Sequence, residues 1–307
     1  MVEMTLPEPV IDRRSRNRKA TMGSGSLARW LRLFRHRSML PLAAFLVIAL
    51  PGRWLVSGDP ASQDLAGRLA PPLLLGGGWV HPLGTDGLGR DILSRIVSGA
   101  GLSLLIGVAA AVVSAAIGIT VGLLAGTLGG VFDAIATLVG ELTLAIPTIV
   151  VGIVLTATLG QSFPNLLAIL IFTGWISYAR IVRLQSRQIV RSEFVEASYA
   201  VGARWPWVTL KHVVPNVRSI ALVLLCQQTA AVMLWEASLT YLGLGARPDT
   251  ITLGGIVRDG KEQVFNGWWI SVYSGTTIAI AIIGFAFFGD WLREQFDRST
   301  NNGSGLD

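Results

Sequence analysis

Residues 191–219 read RSEFVEASYAVGARWPWVTLKHVVPNVRS, a basic, polar island between two long hydrophobic runs. The acid-Ala-small triplet Glu196, Ala197, Ser198 is followed six residues after the acid by Gly202, and Pro215 stands thirteen residues beyond that glycine. Elementary helix chemistry reads the stretch as a hairpin. Ser192 can cap a short helix, with Glu193 in the first turn, where the positive end of the dipole favours an acid. Phe194, Ala197, Ser198 and Val201 then fall on one face. Gly202 can take the left-handed conformation that ends the helix, and Pro206 suits the first position of a second short helix. Trp205 and Trp207 are placed to anchor the hairpin at a membrane interface, and Pro215 marks entry to the next hydrophobic run. A projecting element of this kind suits docking into a partner's groove and, held rigid, can transmit a push. By composition alone the same stretch also reads as an ordinary basic loop.

The runs on either side set the class of the molecule. Of the 307 residues, 51% are hydrophobic and only 14% charged, against roughly 25% charged in soluble domains. Six mostly apolar stretches, at about 39–56, 101–126, 132–158, 164–184, 220–244 and 268–290, are long enough to cross a ~30 Å hydrocarbon core at ~1.5 Å per residue. The net charge of +6 does not indicate nucleic acid, because the basic residues collect in alternate polar segments. The tail before residue 39 carries nine arginines and lysines between Arg13 and Arg37. The island and its approach carry Arg180, Arg183, Arg187, Arg191, Arg204, Lys211 and Arg218. The opposite loops hold fewer: Arg68, Arg90 and Arg95 in one, Arg247, Arg258 and Lys261 in the other. By the positive-inside rule the tail and the island face the cytoplasm, and six spans then put both termini inside.

Residues 1–38 are expected as a cytoplasmic basic tail. Within it, Ser26 to Arg37 reads either as an amphipathic helix on the inner leaflet or as a plain basic flank. Residues 39–100 comprise the first span and an external loop whose Asp59-Pro60, Pro71-Pro72 and Gly76-Gly77-Gly78 predict little regular structure. Residues 101–290 form the membrane core with the 191–219 loop, and 291–307 a cytoplasmic tail. In the second span and at its end, Ala110, Ser114, Gly118, Gly122, Gly126 and Gly130 recur at steps of four, a ridge that lets another helix approach closely. Cys226, the single cysteine, lies in the fifth span and reads as a packing residue.

Glu141 in the third span and Glu236 in the fifth need explaining, since a charge at mid-membrane costs roughly 2.5–3.5 kcal/mol on insertion scales. Each is a candidate for the translocation path or, alternatively, a hydrogen-bonded group that fixes helix packing. Gly255 to Lys261 has the spacing of a phosphate loop, but Glu262 stands where Ser or Thr should hold magnesium. His36, His81 and His212 fall in separate segments without metal-ligand spacing. The residues thus predict no catalytic site, no metal site and no cofactor.

With its triplet, Gly202 and Pro215, the island resembles the cytoplasmic "EAA" loop by which permease subunits of bacterial ABC importers grip their ATPase, in the form found in the dipeptide/oligopeptide family. Three more segments share the resemblance: His81 to Asp91 ahead of the second span, Trp175, Tyr178, Ala179 and Arg180 entering the loop, and Glu236 to Gly245 closing the fifth span. It covers roughly residues 81–298. Departures are Ser198 for the second alanine, His212 and Val214 for Ile and Leu of the general loop, Glu141 for aspartate and Leu138 for arginine. Ile251 to Gly254 stands in place of a Ser-Trp-Gly pattern.

The resemblance implies an all-α membrane protein of six transmembrane helices, the type I ABC importer permease fold, in a bacterial inner membrane. It implies as partners a homologous permease subunit, two ATPase subunits that hydrolyse ATP, an external substrate-binding protein and membrane lipid, but not nucleic acid. Glu196, Ala197, Ser198, Gly202 and Pro215 become the expected ATPase-coupling residues, and Glu141 and Glu236 candidates for the path. The rival reading is a self-sufficient secondary transporter or channel with the two glutamates in an ion pathway.

Overall fold

The computed structural model describes residues 39–52, 58–247 and 249–302, the last six by backbone alone. Expectations for residues 1–38 and for the end of the C-terminal tail lie outside the described residues. The regular structure described is helical, apart from one isolated β-bridge between Thr85 and Asp91. The helices are α1 Leu40–Ala49, α2 Ile92–Leu128, α3 Gly130–Ala145, α4 Thr148–Leu159, α5 Phe163–Val190, α6 Glu193–Ala200, α7 Trp205–Val208, α8 Val214–Tyr241, α9 Leu253–Gly260 and α10 Trp268–Asn302. α2, α5, α10 and the continuous helix from Trp205 through α8 are each long and apolar enough to cross a bilayer, and the α3–α4 pair makes a fifth span if taken together. α1 is the described part of the first predicted span.

Two predicted elements take a different form. The third span is not one rod: α3 and α4 meet at an angle of 79° across Ile146 and Pro147. Proline has no N–H to donate and biases the residue before it away from helical geometry, so the break falls there; Ile146 is indeed extended, at φ −93° and ψ 118°. Conversely, the second short helix of the island does not end. α7 runs through a π turn at Thr209–Val213 directly into α8. A π turn widens the ladder by one residue, which accommodates the missing N–H and the ring of Pro215 inside a continuous helix.

The glycine ridge identifies its own partner. A Cβ on Gly118 would lie 2.2 Å from the Trp175 carbonyl oxygen, on Gly122 2.7 Å from that of Ala179, and on Gly126 2.7 Å from that of Arg183. Both sets of numbers advance by four, so α2 and α5 run parallel with their backbones in near contact. Gly130 does not belong to the ridge: α2 has ended, and Gly130 opens α3 at φ +55° with open space around it. α8 packs antiparallel to α2, its Met233 against Gly107 and its Glu236 against Ser103. It also lies antiparallel to α10, where Gly289 approaches Cys226. The packing therefore gathers the α2–α3 turn, the 191–213 segment and the end of α10 at one end of the bundle. The 58–91 loop and residues 242–267 lie at the other. Phe45, Ile92, Ile96, Met233, Leu253 and Ile270 form a buried apolar cluster toward that second end.

Candidate functional site

At the first end, Gly202 closes α6 by a full Schellman motif. Its φ is +91°, its N–H donates to the Tyr199 carbonyl at 2.9 Å, and the Ala203 N–H donates to the Ser198 carbonyl at 3.0 Å. Ser192 occupies the capping position, but its hydroxyl donates back to the Ile189 carbonyl at 2.5 Å instead of capping α6. Val195, Val208 and Val213 are fully buried and hold the segment to the bundle. Val213 packs there with Val182 and Val217. The predicted coupling residues Glu196, Ala197, Gly202 and Pro215 are exposed, and Ser198 is half-buried. Around them lies an apolar surface of Phe194, Tyr199, Val201, Trp207 and Leu210, with Val201 86% exposed.

Two of the departures from the general loop turn out to touch. The Ser198 hydroxyl donates to the Phe194 carbonyl at 2.8 Å and lies 3.4 Å from His212 Nε2. The His212 ring meets Phe194 and Trp207 edge-on, with centroids 5.5 and 5.1 Å apart. The pair therefore ties α6 to the π turn and sets the angle between the two arms of the loop. Beside this loop, Asp133 of α3 pairs with Arg183 and Arg187 of α5, which fastens the approach to the island onto the third span.

The two membrane glutamates sit in unlike places. Glu236 is fully buried. It accepts from Ser103 Oγ of α2 at 3.1 Å and from Thr240 Oγ1 at 3.0 Å, and Ser103 Oγ in turn accepts from the Leu253 N–H of α9 at 3.2 Å. One carboxylate thus joins three helices. Glu236→Gln keeps an oxygen acceptor at the knot and is expected to leave stability close to wild type. Glu236→Leu strands two buried hydroxyls at a cost of about 1–3 kcal/mol. The thermal midpoints of the purified variants check this order.

Glu141, by contrast, is exposed and borders a groove of about 350 Å³ between α2, α3 and α5 that Trp175, Arg180 and Arg183 also line. A second cavity of about 420 Å³ opens at the α3–α4 elbow, bounded by α5 and α8, with Thr143, Thr148, Thr173, Ser177 and Gln228 in its walls. Sequence reasoning missed this cavity. The usable signal was Pro147 within an apolar stretch, since broken membrane helices occur where backbone lines a cavity.

At the second end, the His81–Asp91 segment is a folded knot. Asp91 caps α2 by accepting from the Ser94 N–H at 2.7 Å and lies 3.0 Å from His81 Nδ1. Asp86 accepts from the N–H groups of Leu88 and Arg90, both at 2.9 Å, and from Arg90 Nε at 2.6 Å. Arg90 and Arg95 both reach Asp259 of α9, at 3.0 and 2.8 Å. This segment therefore clamps the start of α2 to α9. The phosphate-loop spacing has a structural explanation too. Leu253 to Gly260 is a helix and not a loop; of the two glycines in the spacing, Gly260 permits close packing, a Cβ there falling 2.3 Å from Ser271 Oγ, while one on Gly255 meets only ordinary contacts from 3.5 Å.

Comparison with known proteins gives the family. Residues 118–302 match the family model described as "Binding-protein-dependent transport system inner membrane component". The chain is 39% identical over 253 residues to the dipeptide transport system permease protein DppC of Escherichia coli strain K12, covering 82% of this chain and 84% of the relative. It is 30% identical over 265 residues to the di/tripeptide transport system permease protein DppC of Pseudomonas aeruginosa strain UCBPP-PA14, covering 86% and 88%. Both relatives extend the match ahead of residue 118, into the region of the Asp86 knot. On this coverage, and on a helical bundle with the triplet loop exposed at one end, the chain belongs to the family of inner-membrane permease components of binding-protein-dependent transport systems.

Proposed function

We propose that the chain forms half of the translocation path of an ATP-driven importer of short peptides, and that residues 191–219 are its cytoplasmic handle for the ATPase. The observation that carries this reading is the Gly202-capped loop, rigidly anchored by buried valines yet presenting Glu196, Ala197 and an apolar surface outward. An exposed apolar patch rimmed by polar groups at the end of a membrane bundle fits a groove on a soluble partner. A homologous permease completes the path, two ATPase subunits supply the energy, and an external binding protein delivers the cargo. The names of the relatives support peptides as that cargo. The charge of the basic island supports a cytoplasmic position for it and, with six spans, for both termini.

For the path, Glu141 is the glutamate of choice, because it borders an open groove. The burial and three-helix bonding of Glu236 favour a packing role, which leaves the rival secondary-transporter reading with one of its two pathway carboxylates.

Gly202→Val tests the coupling role. A β-branched residue held at φ +91° stores about 1–3 kcal/mol of strain, while the space around the position is open, so insertion into the membrane is spared. Wild-type amounts of assembled complex that hydrolyse ATP without uptake are expected. Unchanged uptake contradicts the reading.

A further inference from the structure

The cavity at the α3–α4 elbow has a composition that differs from the rest of the polar surface. Its walls carry no charged residue, yet they collect Thr143, Thr148, Thr173, Ser177 and Gln228 from four helices. Each of the contributing positions lies near the middle of its span: the elbow divides α3 from α4, Thr173 and Ser177 stand midway along α5, and Gln228 midway along α8. The lining is therefore at the depth where water is scarce and an unpaired polar group is costly.

Thr143 and Thr173 each donate their hydroxyl to a carbonyl one turn back, at 2.8 and 3.2 Å, which leaves their oxygens free to accept. Thr148, Ser177 and Gln228 make no side-chain hydrogen bond among the described residues, and all three are half-buried against the cavity. An amide and two hydroxyls at mid-membrane without protein partners call for a polar occupant. Gln228 offers both a donor and an acceptor, the complement of a peptide group, and the surrounding hydroxyls do the same. A volume of about 420 Å³ lies within the range of small-molecule sites. Discontinuous membrane helices are also where transporters hold their cargo.

We propose that this elbow cavity is an uncharged hydrogen-bonding station for amide groups of the cargo, with Gln228 and Ser177 as its specificity-determining residues, so that passage favours amide-rich solutes and is indifferent to their charge. The proposal rests on the importer reading above and adds the chemical class of the contact. Hydroxyl and amide side chains hydrogen-bond a peptide backbone whatever its side chains are, whereas a fixed charge in the same place would sort cargo by sign.

The test uses the complete transporter with its binding protein in proteoliposomes and three probe cargoes, alanylalanine, alanyllysine and alanylglutamate. Gln228→Leu removes a polar group from a membrane helix, which favours insertion, so loss of the protein is not the expected outcome. It is expected to slow uptake of all three dipeptides by about 3- to 10-fold, the range of one interhelical hydrogen bond, while ATP hydrolysis stimulated by the loaded binding protein persists. Ser177→Asp is expected to part the charged cargoes by at least about tenfold in favour of alanyllysine, since charges a few ångströms apart interact far more strongly at a low effective dielectric than in water. Wild-type uptake by Gln228→Leu overturns the proposal. So does a Ser177→Asp variant that slows all three cargoes equally, which would mark a wall covered by the partner permease. Failure of the wild-type transporter to take up any of the three with ATP overturns the importer reading itself, whereas wild-type uptake with a charge-blind Ser177→Asp overturns this proposal alone.

Discussion

Gly118→Leu is expected to prevent assembly of a stable transporter, whereas Gly275→Leu, an identical change in α10, is expected to leave it intact. The Cβ of residue 118 would lie 2.2 Å from the Trp175 carbonyl oxygen and 2.7 Å from Tyr178 Cβ, and these belong to a helix fixed along its whole length by the same seam. Backbone atoms cannot rotate away as a side chain does, so α2 and α5 must separate, and the contacts at Gly122 and Gly126 are lost with those at Gly118. Within a membrane, helix association rests on such packing, because lipid tails are as apolar as the buried side chains. Overpacking a tight core ordinarily costs about 1–3 kcal/mol; with backbone as the obstacle the upper end or more is expected. A Cβ at Gly275 meets nothing within 4 Å. Size-exclusion profiles of the two variants, extracted in parallel, check the contrast. Equal recovery of both would contradict the seam.

The second large effect is expected at Asp86. This carboxylate is 2% exposed, accepts from two backbone N–H groups and from Arg90 Nε, and lies 3.4 Å from Arg95 Nη1, whose side chain is 4% exposed. Asp86→Ala removes one of the two carboxylates that neutralise the buried Arg95 and the half-buried Arg90, Asp259 being the other. Breaking a buried pair from one side leaves an uncompensated charge and costs about 3–5 kcal/mol. The loss falls on the junction of α2 and α9, so cleavage within residues 81–95 by added protease should rise together with the fall in thermal midpoint. Asp86→Asn keeps an acceptor for the Leu88 and Arg90 N–H groups while dropping the charge, and is expected to fall between wild type and the alanine variant. A midpoint for Asp86→Ala equal to wild type would show that the knot contributes nothing to the junction.

What the sequence made legible is what local chemistry controls. Gly202 announces a helix end because only glycine takes φ near +90° without strain, and the Schellman bonds follow from that one residue. The long apolar runs locate the spans, since hydropathy over about twenty residues reflects the lipid and not the neighbours. The ridge from Ala110 to Gly126 was legible as a packing face. Its partner was not, because nothing about α2 alone distinguishes α5 from any other helix.

The remaining differences have the same origin. Gly130 continues the step of four but falls beyond the end of α2, where the period carries no meaning. Pro147 and Pro215 look alike in sequence, each following a β-branched residue inside an apolar or basic stretch. One breaks its helix by 79°, and the other is absorbed by a π turn. Whether a turn can widen depends on what packs around it, as Val213 against Val182 and Val217 does here. Asp259 lies more than 160 residues from the arginines it holds, and the hydroxyl partners of Glu236 include one on another helix; no spacing rule reaches so far. Ser198 and His212 could be named as departures from the sequence, but their contact depends on the loop folding back on itself.

The central claim, that residues 191–219 grip the ATPase, is tested most directly by site-specific cross-linking in the assembled transporter. Cys226 is the single native cysteine, so Cys226→Ser supplies a background in which one introduced thiol reports alone. Val201→Cys places it on the loop at a position 86% exposed, and Phe265→Cys places it at the opposite end at a position 96% exposed. A short cross-linker that reacts with the thiol at one end and with lysine amines at the other is predicted to join the Val201→Cys chain to an ATPase subunit and to leave the Phe265→Cys chain free of it. An ATPase adduct formed from Phe265→Cys and not from Val201→Cys would contradict both the handle and the orientation proposed for it.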